Sequence, residues 1–420
     1  MVSTVAGDVP DVFDPRGYAD GIPHESFAWL REHRPVSWQA EPPVGDWPAG
    51  PGFWGVTRHA DVVRVLRSAG EFSSWLGATQ IRDPDPADLP FIRRMMLNLD
   101  PPEHGRLRRI VSRAFTPRRV ERFAEDVVAR AGGLVDAVAT RGECDLVTEV
   151  TDDFPLLNLA DLLGMPRADR RLLLDWTNRI IGYQDPEHAN HVRGADGRPV
   201  NPRSPAMLAD MFGYARDLAA HKVRHPADDV MTALAHAGLA DGELEMFFFL
   251  LSVAGNDTVR SAGPGGILAL VRHPDQRRLL LDRPELLDSA IEEMLRYHPP
   301  VLSFRRTARS DVELAGQRVA AGDKVVVFHC SANFDDRVFA DPTRFDITRA
   351  PNPHVSFGDG PHVCVGAHFA RLQLRALYQQ VVWRLPDLEL AGEVGHLVSN
   401  FINGITHLPV RFTPTRQRRS

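Results

Sequence analysis

Over most of this chain, hydrophobic and polar residues alternate with the spacing of amphipathic helices. Apolar side chains recur every three or four positions, which is the period of an α-helix. The segments with this pattern are 26–33, 61–66, 104–115, 117–138, 152–163, 170–181, 207–222, 244–258, 285–297 and the stretch after Gly366. Strand-like patterns are fewer and predict a strand at 53–56, a hairpin formed by 312–319 and 324–328, and a β segment at 399–412 with a turn at Asn403-Gly404. The expected fold class is therefore mainly α with small β-sheets (α+β).

Three stretches interrupt the periodic pattern. Residues 79–90 gather aspartates and prolines, and residues 185–205 are rich in proline, glycine and histidine, so both are predicted to be irregular loops. Glycines surround Pro264 within an otherwise helical pattern. A proline inside a helix removes a hydrogen bond and costs about 3 kcal/mol. We therefore expect a kink or break near Pro264.

One cysteine lies between glycines just before a predicted helix, in the segment Phe357 to Gly366. Gly358 and Gly360 can adopt positive φ angles, so the loop backbone can approach a flat ligand closely. The helix dipole and the free N–H groups of the helix N-terminus favour a thiolate at Cys364 over a thiol. A thiolate can act as a nucleophile or as a ligand to a metal such as haem iron. The loop alone is compatible with both roles, and with a buried structural cysteine.

Three other groupings have both a structural and a chemical interpretation. His104 and Arg108 are four residues apart on a predicted helix, so they can bind one anion together or belong to a solvated basic face. In the run 254–258, Ala-Gly-Asn-Asp-Thr, the threonine could bond back to the helix backbone and the glycine could permit close packing. Glu293 and Arg296 are one turn apart and able to pair.

Length, composition and charge limit the class of protein. The chain has 420 residues with 43% hydrophobic and 25% charged residues, and it contains no internal repeat or long linker, so one domain spanning 1–420 is expected. A net charge of −6 argues against a nucleic-acid partner. The 3 cysteines are far apart and odd in number, which disfavours a disulfide framework or structural zinc. No signal-like segment is found, and the longest apolar run, 246–251, is too short for a membrane anchor, so a cytoplasmic protein is expected.

The cysteine segment resembles the haem-binding signature of the cytochrome P450 family. The pattern Phe-Gly-x-Gly-x-His-x-Cys-x-Gly is matched at every fixed position from Phe357 to Gly366. The runs at 254–258 and 293–296 are similar to the family's oxygen-binding and Glu-x-x-Arg motifs, and all occur in the family's order between Phe53 and Phe412. The resemblance implies the cytochrome P450 fold, with haem b (iron protoporphyrin IX) between the helix of the oxygen motif and the helix after the cysteine.

The resemblance also implies roles for single residues. Cys364 is the axial ligand of the haem iron, and Asp257 and Thr258 pass protons to dioxygen in space made by a loosened helical turn at Gly255. The residues expected to bind the cofactor are His104, Arg108, Ala254, Gly255, Arg306, Phe357, Gly358, His362, Cys364 and Gly366. Arg306 aligns with an arginine that binds a haem propionate, although the adjacent Arg305 could take that place. A structural cluster is expected from Glu293, Arg296 and Arg349.

The substrate region is assigned by position in the family. Residues 79–90 cap the pocket, and 185–205 resemble a mobile lid. The candidate pocket residues are Ile92, Met96, Phe249, Leu250, Val253, Ala254, Val301, Leu302, Phe401 and Ile402. Nearly all are apolar, which suits a lipophilic substrate. Local similarity to actinobacterial members favours a sterol, a branched lipid or a terpenoid, and a secondary metabolite is the alternative.

The reaction implied is insertion of one oxygen atom of O2 into a C–H bond. No flavin- or nicotinamide-binding glycine loop is found, so electrons from NAD(P)H are expected to arrive through a ferredoxin reductase and a ferredoxin. An acidic ferredoxin would suit the basic face formed by Arg106, Arg109, Arg113 and Arg371. Two rival classes stay open: a haem-free enzyme with a cysteine nucleophile, and a haem protein that senses or carries electrons without oxygenating anything.

Overall fold

The computed structural model describes residues 9–44, 48–181, 204 and 206–415. The expected lid at 185–205 lies, apart from Ser204, outside the described residues. The helices are α1 (His24–His33), α2 (His59–Arg67), α3 (Leu89–Ile92), α4 (Glu103–Ala114), α5 (Pro117–Val120), α6 (Ala124–Val138), α7 (Asp153–Leu162), α8 (Arg170–Ile181), α9 (Ala209–Arg224), α10 (Val230–Ala235), α11 (Glu243–Arg272), α12 (Pro274–Asp282), α13 (Leu287–Tyr297), α14 (His329–Ala332) and α15 (Ala367–Arg384).

The strands are short by comparison. They are β1 (Val36–Gln39), β2 (Phe53–Val56), β3 (Phe72–Ser73), β4 (Glu143–Asp145), β5 (Ser303–Ala308), β6 (Val312–Leu314), β7 (Gln317–Val319), β8 (Lys324–Phe328), β9 (Glu389–Leu390), β10 (Gly395–His396), β11 (Ile405–His407) and β12 (Pro409–Arg411). Helical residues far outnumber strand residues, so the expected fold class, mainly α with small sheets, is confirmed.

The largest hydrophobic core surrounds α11, which packs against α7, α9, α13 and α15. Most side chains of α11 are buried, as a helix surrounded by other helices requires. The phenolic hydroxyl of Tyr378 on α15 donates to the carbonyl of Ala262 on α11 at 2.9 Å. The two helices on either side of the candidate site are thus fixed to each other.

A kink or a break was expected near Pro264. The break is wrong, because α11 continues through this residue to Arg272, and the kink stays a prediction. The flanking glycines explain how the helix stays continuous, because they let side chains of other elements pack against its backbone. A Cβ at Gly265 would collide with the ring of His298, and a Cβ at Gly266 would collide with the phenol of Tyr378. Neighbouring side chains therefore pack directly on the backbone of this turn. We infer that this packing outweighs the cost of about 3 kcal/mol that a proline brings to a helix interior.

The main sheet has five strands in the order β1-β2-β8-β5-β3. The pairing of β2 with β8 is parallel, and the other pairings are antiparallel. The expected hairpin of 312–319 with 324–328 is wrong: β6 pairs with β7 through a turn at Ala315-Gly316, where both residues have positive φ. Instead, β8 pairs with β2 on one side and β5 on the other, and all five of its residues are buried.

Candidate active site

The cysteine loop is shaped by its glycines. Gly358 and Gly360 have φ angles of 69° and 67°, as expected for residues free of a Cβ. A Cβ on Gly360 would lie 2.6 Å from the carbonyl oxygen of Leu66, so only glycine fits against α2 at this point. The N–H of Cys364 donates to the carbonyl of Phe357 at 2.8 Å. This bond closes the loop and places the cysteine three residues before the start of α15.

Cys364 is exposed in the protein alone, and protein atoms surround its sulfur on the remaining sides. Burial is the largest influence on its thiol and raises the pKa. The N–H of Gly366, which hydrogen bonds to the sulfur, and the charges of Arg108 and Arg371 act in the opposite direction. These partners are the kind that stabilise a thiolate once a metal cation replaces the thiol proton.

Arg371 contacts the cysteine loop, although the sequence analysis assigned it to the basic face for a ferredoxin. Its guanidinium makes two hydrogen bonds to Glu292 on α13, at 2.6 and 2.7 Å, and lies 4.4 Å from the centre of the Phe357 ring. Burial alone would raise the pKa of Glu292, but the hydrogen bonds from Arg371 and His354 lower it to about 2. Arg371 therefore braces the cysteine loop against α13.

Four basic side chains meet beside the cysteine loop. His104 and Arg108 come from α4, Arg306 comes from β5 and His362 comes from the loop itself. The rings of His104 and His362 have centroids 4.0 Å apart. Burial lowers the pKa of Arg306 to about 10 and that of His362 to about 2, and it also lowers those of His104 and Arg108. In the histidines, the charges of the neighbouring arginines add to this shift.

Across the chain segments described, none of these four groups forms an ion pair with a carboxylate. Asp100 is the nearby acid whose charge acts on Arg306 and His104. Its oxygens, however, accept from the Ser73 hydroxyl, from the Ser74 N–H and from Arg309. The positive charge of the cluster thus lies on Arg108 and Arg306, because the lowered pKa values leave the two histidines neutral, and one or two ligand carboxylates would stabilise these arginines.

Strand geometry separates the two adjacent arginines of β5. Successive side chains of a strand point to opposite faces of the sheet. Arg306 lies with the histidine cluster, whereas Arg305 bonds to Asp83 at 2.6 Å on the other face. The structure therefore supports Arg306 rather than Arg305 as the residue of the cationic cluster.

The middle of α11 presents an accessible stripe. Leu250, Val253, Gly255 and Thr258 are partly exposed and Ala254 is exposed, although the helix around them is buried. The Thr258 hydroxyl donates to the Ala254 carbonyl at 2.8 Å. The helix is regular through 254–258, so the loosened turn expected at Gly255 is absent from α11.

Asp257 lies away from this stripe. It is only 6% exposed, receives a 3.5 Å contact from the amide of Asn256, and its charge acts on Arg260. Thr258 and Asp257 thus lie on different faces of α11. Only Thr258 is on the accessible face that the expected proton path requires.

The predicted pocket residues divide into an accessible group and a buried group. Val301 and Ile402 form a β-bridge, Phe401 and Ile402 are partly exposed, and so is Ile92. Leu302, also predicted to line the pocket, is 1% exposed and packs in a core cluster with residues of the N-terminal region and β8. The structure also buries Phe249 and Met96 in the main core.

Phe304 is a pocket candidate that sequence reasoning missed. It is partly exposed, and its ring centroid lies 5.6 Å from that of Phe401 in an edge-to-face contact. It also shares the face of β5 that carries Arg306, two residues further on. Strand periodicity from Arg306 was the signal that could have identified it.

Glu293 and Arg296 form the predicted structural cluster with Arg349. Glu293 and Arg296 are fully buried and joined by two hydrogen bonds of 2.8 Å. Arg349 donates to Glu293 at 3.1 Å, and so does the amide of Asn352. The backbone carbonyls of Asn333 and Pro342 accept from Arg296. The buried charges of Glu293 and Arg296 thus neutralise each other and are hydrogen bonded, as their burial requires.

Comparison with known proteins identifies the family. The family model for cytochrome P450 matches residues 215–385. A steroid C26-monooxygenase of Mycobacterium tuberculosis is 39% identical over 415 residues, covering 96% of this chain and 92% of the relative. A methyl-branched lipid omega-hydroxylase of the same species is 38% identical over 404 residues, covering 94% of this chain and 92% of the relative. A solved Mycobacterium marinum cytochrome P450 in complex with pseudoionone gives a TM-score of 0.84 at 38% identity, covering 98% of this chain and 100% of that chain.

The chain therefore belongs to the cytochrome P450 family. It is a bacterial-type cytochrome P450 monooxygenase with a haem b cofactor, and it acts on lipophilic substrates. The sequence-based expectations of family, fold, enzyme class and cofactor are confirmed. The haem-free nucleophile and the non-oxygenating haem protein find no support. No helix in the described part of the chain is long and apolar enough to cross a membrane.

The residues present fit haem b. Cys364 offers an accessible sulfur, and the cluster of His104, Arg108, Arg306 and His362 lacks the carboxylates that two propionates would supply. The small residues of the α11 stripe leave room for a flat ring system. A cationic cluster without acidic partners would be costly to bury in the absence of such a ligand.

Proposed function

We propose that this protein hydroxylates the terminal carbon of an aliphatic chain on a steroid or a methyl-branched lipid. The observation that supports this proposal is the apolar accessible stripe of α11, at Leu250, Val253 and Ala254, together with Phe401 and Phe304. These surfaces suit a hydrocarbon chain and provide no charged group to orient a polar substrate. Two relatives are named as a steroid C26-monooxygenase and a methyl-branched lipid omega-hydroxylase, and both names denote oxidation at a chain end, which supports this proposal.

The chain's own residues have defined tasks in this proposal. A haem held by a thiolate supplies the activation of O2 and the transfer of one oxygen atom. Cys364 holds that group, with Gly366 and Arg371 supporting the sulfur. Arg306, Arg108 and the two histidines orient it through its propionates. Thr258 offers a hydroxyl on the accessible face of α11, where it can hold or pass a proton.

A binding titration tests the substrate class. A steroid with an aliphatic side chain that includes C26, and a methyl-branched fatty acid, are each added to the ferric holoprotein. We expect one or both to displace water from the iron, which shifts the haem absorbance, and to yield a chain-terminal alcohol in turnover. If neither lipid shifts the spectrum, or if oxidation occurs on the steroid ring, the proposed substrate class is wrong.

Replacing Thr258 with valine should separate oxygen consumption from product formation. Valine keeps the shape of the side chain but loses the hydroxyl, so we expect product per electron pair to fall by about tenfold or more while hydrogen peroxide rises. Substrate-induced absorbance changes should persist. Product and peroxide are measured together per NAD(P)H consumed.

Two variants control this experiment. Thr258→Ser keeps the hydroxyl and should retain most of the coupling. Ser252 makes the same kind of bond to its own helix, to the Phe248 carbonyl at 2.7 Å, but it is buried in the core. Ser252→Ala should therefore leave coupling unchanged. Equal peroxide release from Thr258→Val and the wild type would contradict a proton-relay role for Thr258.

We further propose that an acidic ferredoxin delivers electrons at the face of α4 near the cysteine loop. Arg109 and Arg113 are exposed there and have no ion-pair partner in the described structure, so they are free to bind acidic groups. Arg106 is less available because it pairs with Glu103 and Glu243, and Arg371 is paired with Glu292. The proposed docking face therefore contains two of the four arginines expected from the sequence.

The double variant Arg109→Gln/Arg113→Gln should slow reduction by an acidic ferredoxin roughly tenfold at low salt, because steering by charge is lost. The difference should shrink as salt is added. Stopped-flow reduction of the ferric protein under carbon monoxide measures this rate. A double variant at two remote exposed arginines, Arg318→Gln/Arg411→Gln, is the control and should reduce at the wild-type rate. Equal rates for the two double variants would contradict docking at α4.

We also propose that the protein is cytoplasmic and forms a single haem domain. All three cysteines, Cys144, Cys330 and Cys364, are free thiols, as is usual in reducing compartments. The main core cluster contains residues from Met96 to Phe412, which supports one domain over this span.

A further inference from the structure

Arg305 is the arginine of β5 that the haem site does not use. It is only 4% exposed and binds the segment 77–83 at three points. Its backbone N–H donates to the Thr79 carbonyl at 2.9 Å. Its guanidinium donates to the Ile81 carbonyl at 3.3 Å and to the Asp83 carboxylate at 2.6 Å. One buried residue thus fixes five residues of an otherwise irregular loop.

Lys324 binds the same carboxylate from the neighbouring strand. Its ammonium group lies 2.7 Å from Asp83 and 2.6 Å from Glu41. Lys324 and Glu41 are buried, whereas the Asp83 side chain is 47% exposed. Asp83 is therefore the one member of the cluster that can leave it toward solvent. If it leaves, Lys324 keeps Glu41, but Arg305 is left as a buried cation without an acid.

The backbone before Asp83 is shaped to fit over Arg305. A Cβ at Gly77 would collide with the Arg305 guanidinium, so the chain passes directly over this side chain. Ala78 has a φ angle of 64°, a left-handed conformation that residues with a Cβ rarely adopt. Such a conformation persists only where the surrounding contacts hold it. Arg305 holds this backbone from the side of Thr79, and Arg93, which donates to the carbonyls of Trp75 and Leu76, holds it from the other side.

From Asp83 the chain leads to α11 and the cysteine loop. The Thr79 hydroxyl donates to the Asn98 side chain at 2.9 Å, and the Asn98 amide donates to the Ile92 carbonyl at 2.9 Å. The turn at 96–98 packs on α11, and the Leu99 carbonyl accepts from His362. We define residues 77–99 as the strap. It is fixed at one end by Arg305 and at the other by α11 and the cysteine loop.

We propose that Asp83, bound between Arg305 and Lys324, is an ionic latch that holds the strap closed and so limits how fast bulky ligands reach the haem. The inference needs only the haem that the family implies, and it holds whichever lipid is the substrate. Adjacent arginines of β5 then have separate tasks: Arg305 positions the strap, and Arg306 faces the cationic cluster.

Hydrogen exchange and ligand-binding kinetics of the holoprotein test this proposal. In Asp83→Ala we expect amide exchange across 77–83 to be faster by about fivefold or more. The association rate constant of 4-phenylimidazole with the ferric haem, followed by absorbance, should rise by a similar factor. That of imidazole, which is small, should change less than about twofold. Asp83→Asn keeps a hydrogen-bond acceptor and should give an intermediate result.

Asp85→Asn is the matched control. Asp85 lies on the same loop, and its carboxylate accepts from the Ala87 N–H at 2.8 Å, away from Arg305 and Lys324. It should show wild-type exchange across 77–83 and wild-type binding of both azoles. Unchanged exchange in Asp83→Ala would disprove the latch, and faster exchange without faster 4-phenylimidazole binding would disprove its gating role. Failure of the proposed function would be distinct, because it is seen in the lipid titration, whereas both azoles bind the haem iron whatever lipid the enzyme oxidises.

Discussion

Replacing Cys364 with serine is expected to abolish oxygenation of any substrate. Serine is nearly isosteric but does not give the soft anionic ligand that a thiolate provides, and electron donation from sulfur is what favours O–O cleavage. The ferrous carbonyl complex should lose the long-wavelength absorbance band typical of thiolate-bound haem. Absorbance spectroscopy of the purified variant, together with product analysis, measures both effects.

Cys144→Ala is the matched control for this experiment. Cys144 is a free thiol that is 9% exposed in the main core, far in sequence from the cysteine loop. The variant should keep the thiolate spectrum and its activity. A Cys364→Ser protein that retained the long-wavelength band would show that another residue is the axial ligand.

The second large effect is expected at Glu293. Glu293→Gln removes the negative charge that neutralises Arg296 and Arg349, leaving Arg296 as a buried cation. Breaking a buried ion pair in this way lowers the free energy of unfolding by about 3–5 kcal/mol. That loss is a large part of the total stability of a typical domain, about 5–15 kcal/mol. Urea unfolding of the holoprotein, followed by far-UV circular dichroism, measures the change.

An exposed pair provides the comparison. Glu389 and Arg411 pair at 2.9 Å, with both side chains more than 60% exposed to solvent. Glu389→Gln should change the free energy of unfolding by less than about 1 kcal/mol, since water screens such pairs. Similar losses in the two variants would contradict the structural role assigned to Glu293.

Residues that act within a short motif could be predicted from the sequence. The signature from Phe357 to Gly366 fixes its own geometry, because two glycines with positive φ angles and a helix start are encoded locally. The positions of Gly358, Gly360 and Cys364 in the structure follow that expectation. The pairing of Glu293 with Arg296 was predictable for the same reason, since helix periodicity places them one turn apart.

Features that depend on distant contacts could not be predicted. The break at Pro264 was wrong because His298 and Tyr378, from other elements, pack on that turn. Arg371 was assigned to a docking face because nothing near it in sequence reveals its partner, Glu292, which is 79 residues away. The burial of Leu302 could not be predicted, because β5 begins only at Ser303 and the strand alternation therefore does not set the orientation of Leu302.

A crystal structure of the haem-loaded protein, with the iron located by its anomalous scattering, tests the central claim most directly. The account predicts iron bonded to the sulfur of Cys364, with the propionates against Arg108 and Arg306. Iron ligated by any other side chain, or a Cys364 sulfur directed away from the porphyrin, would contradict it.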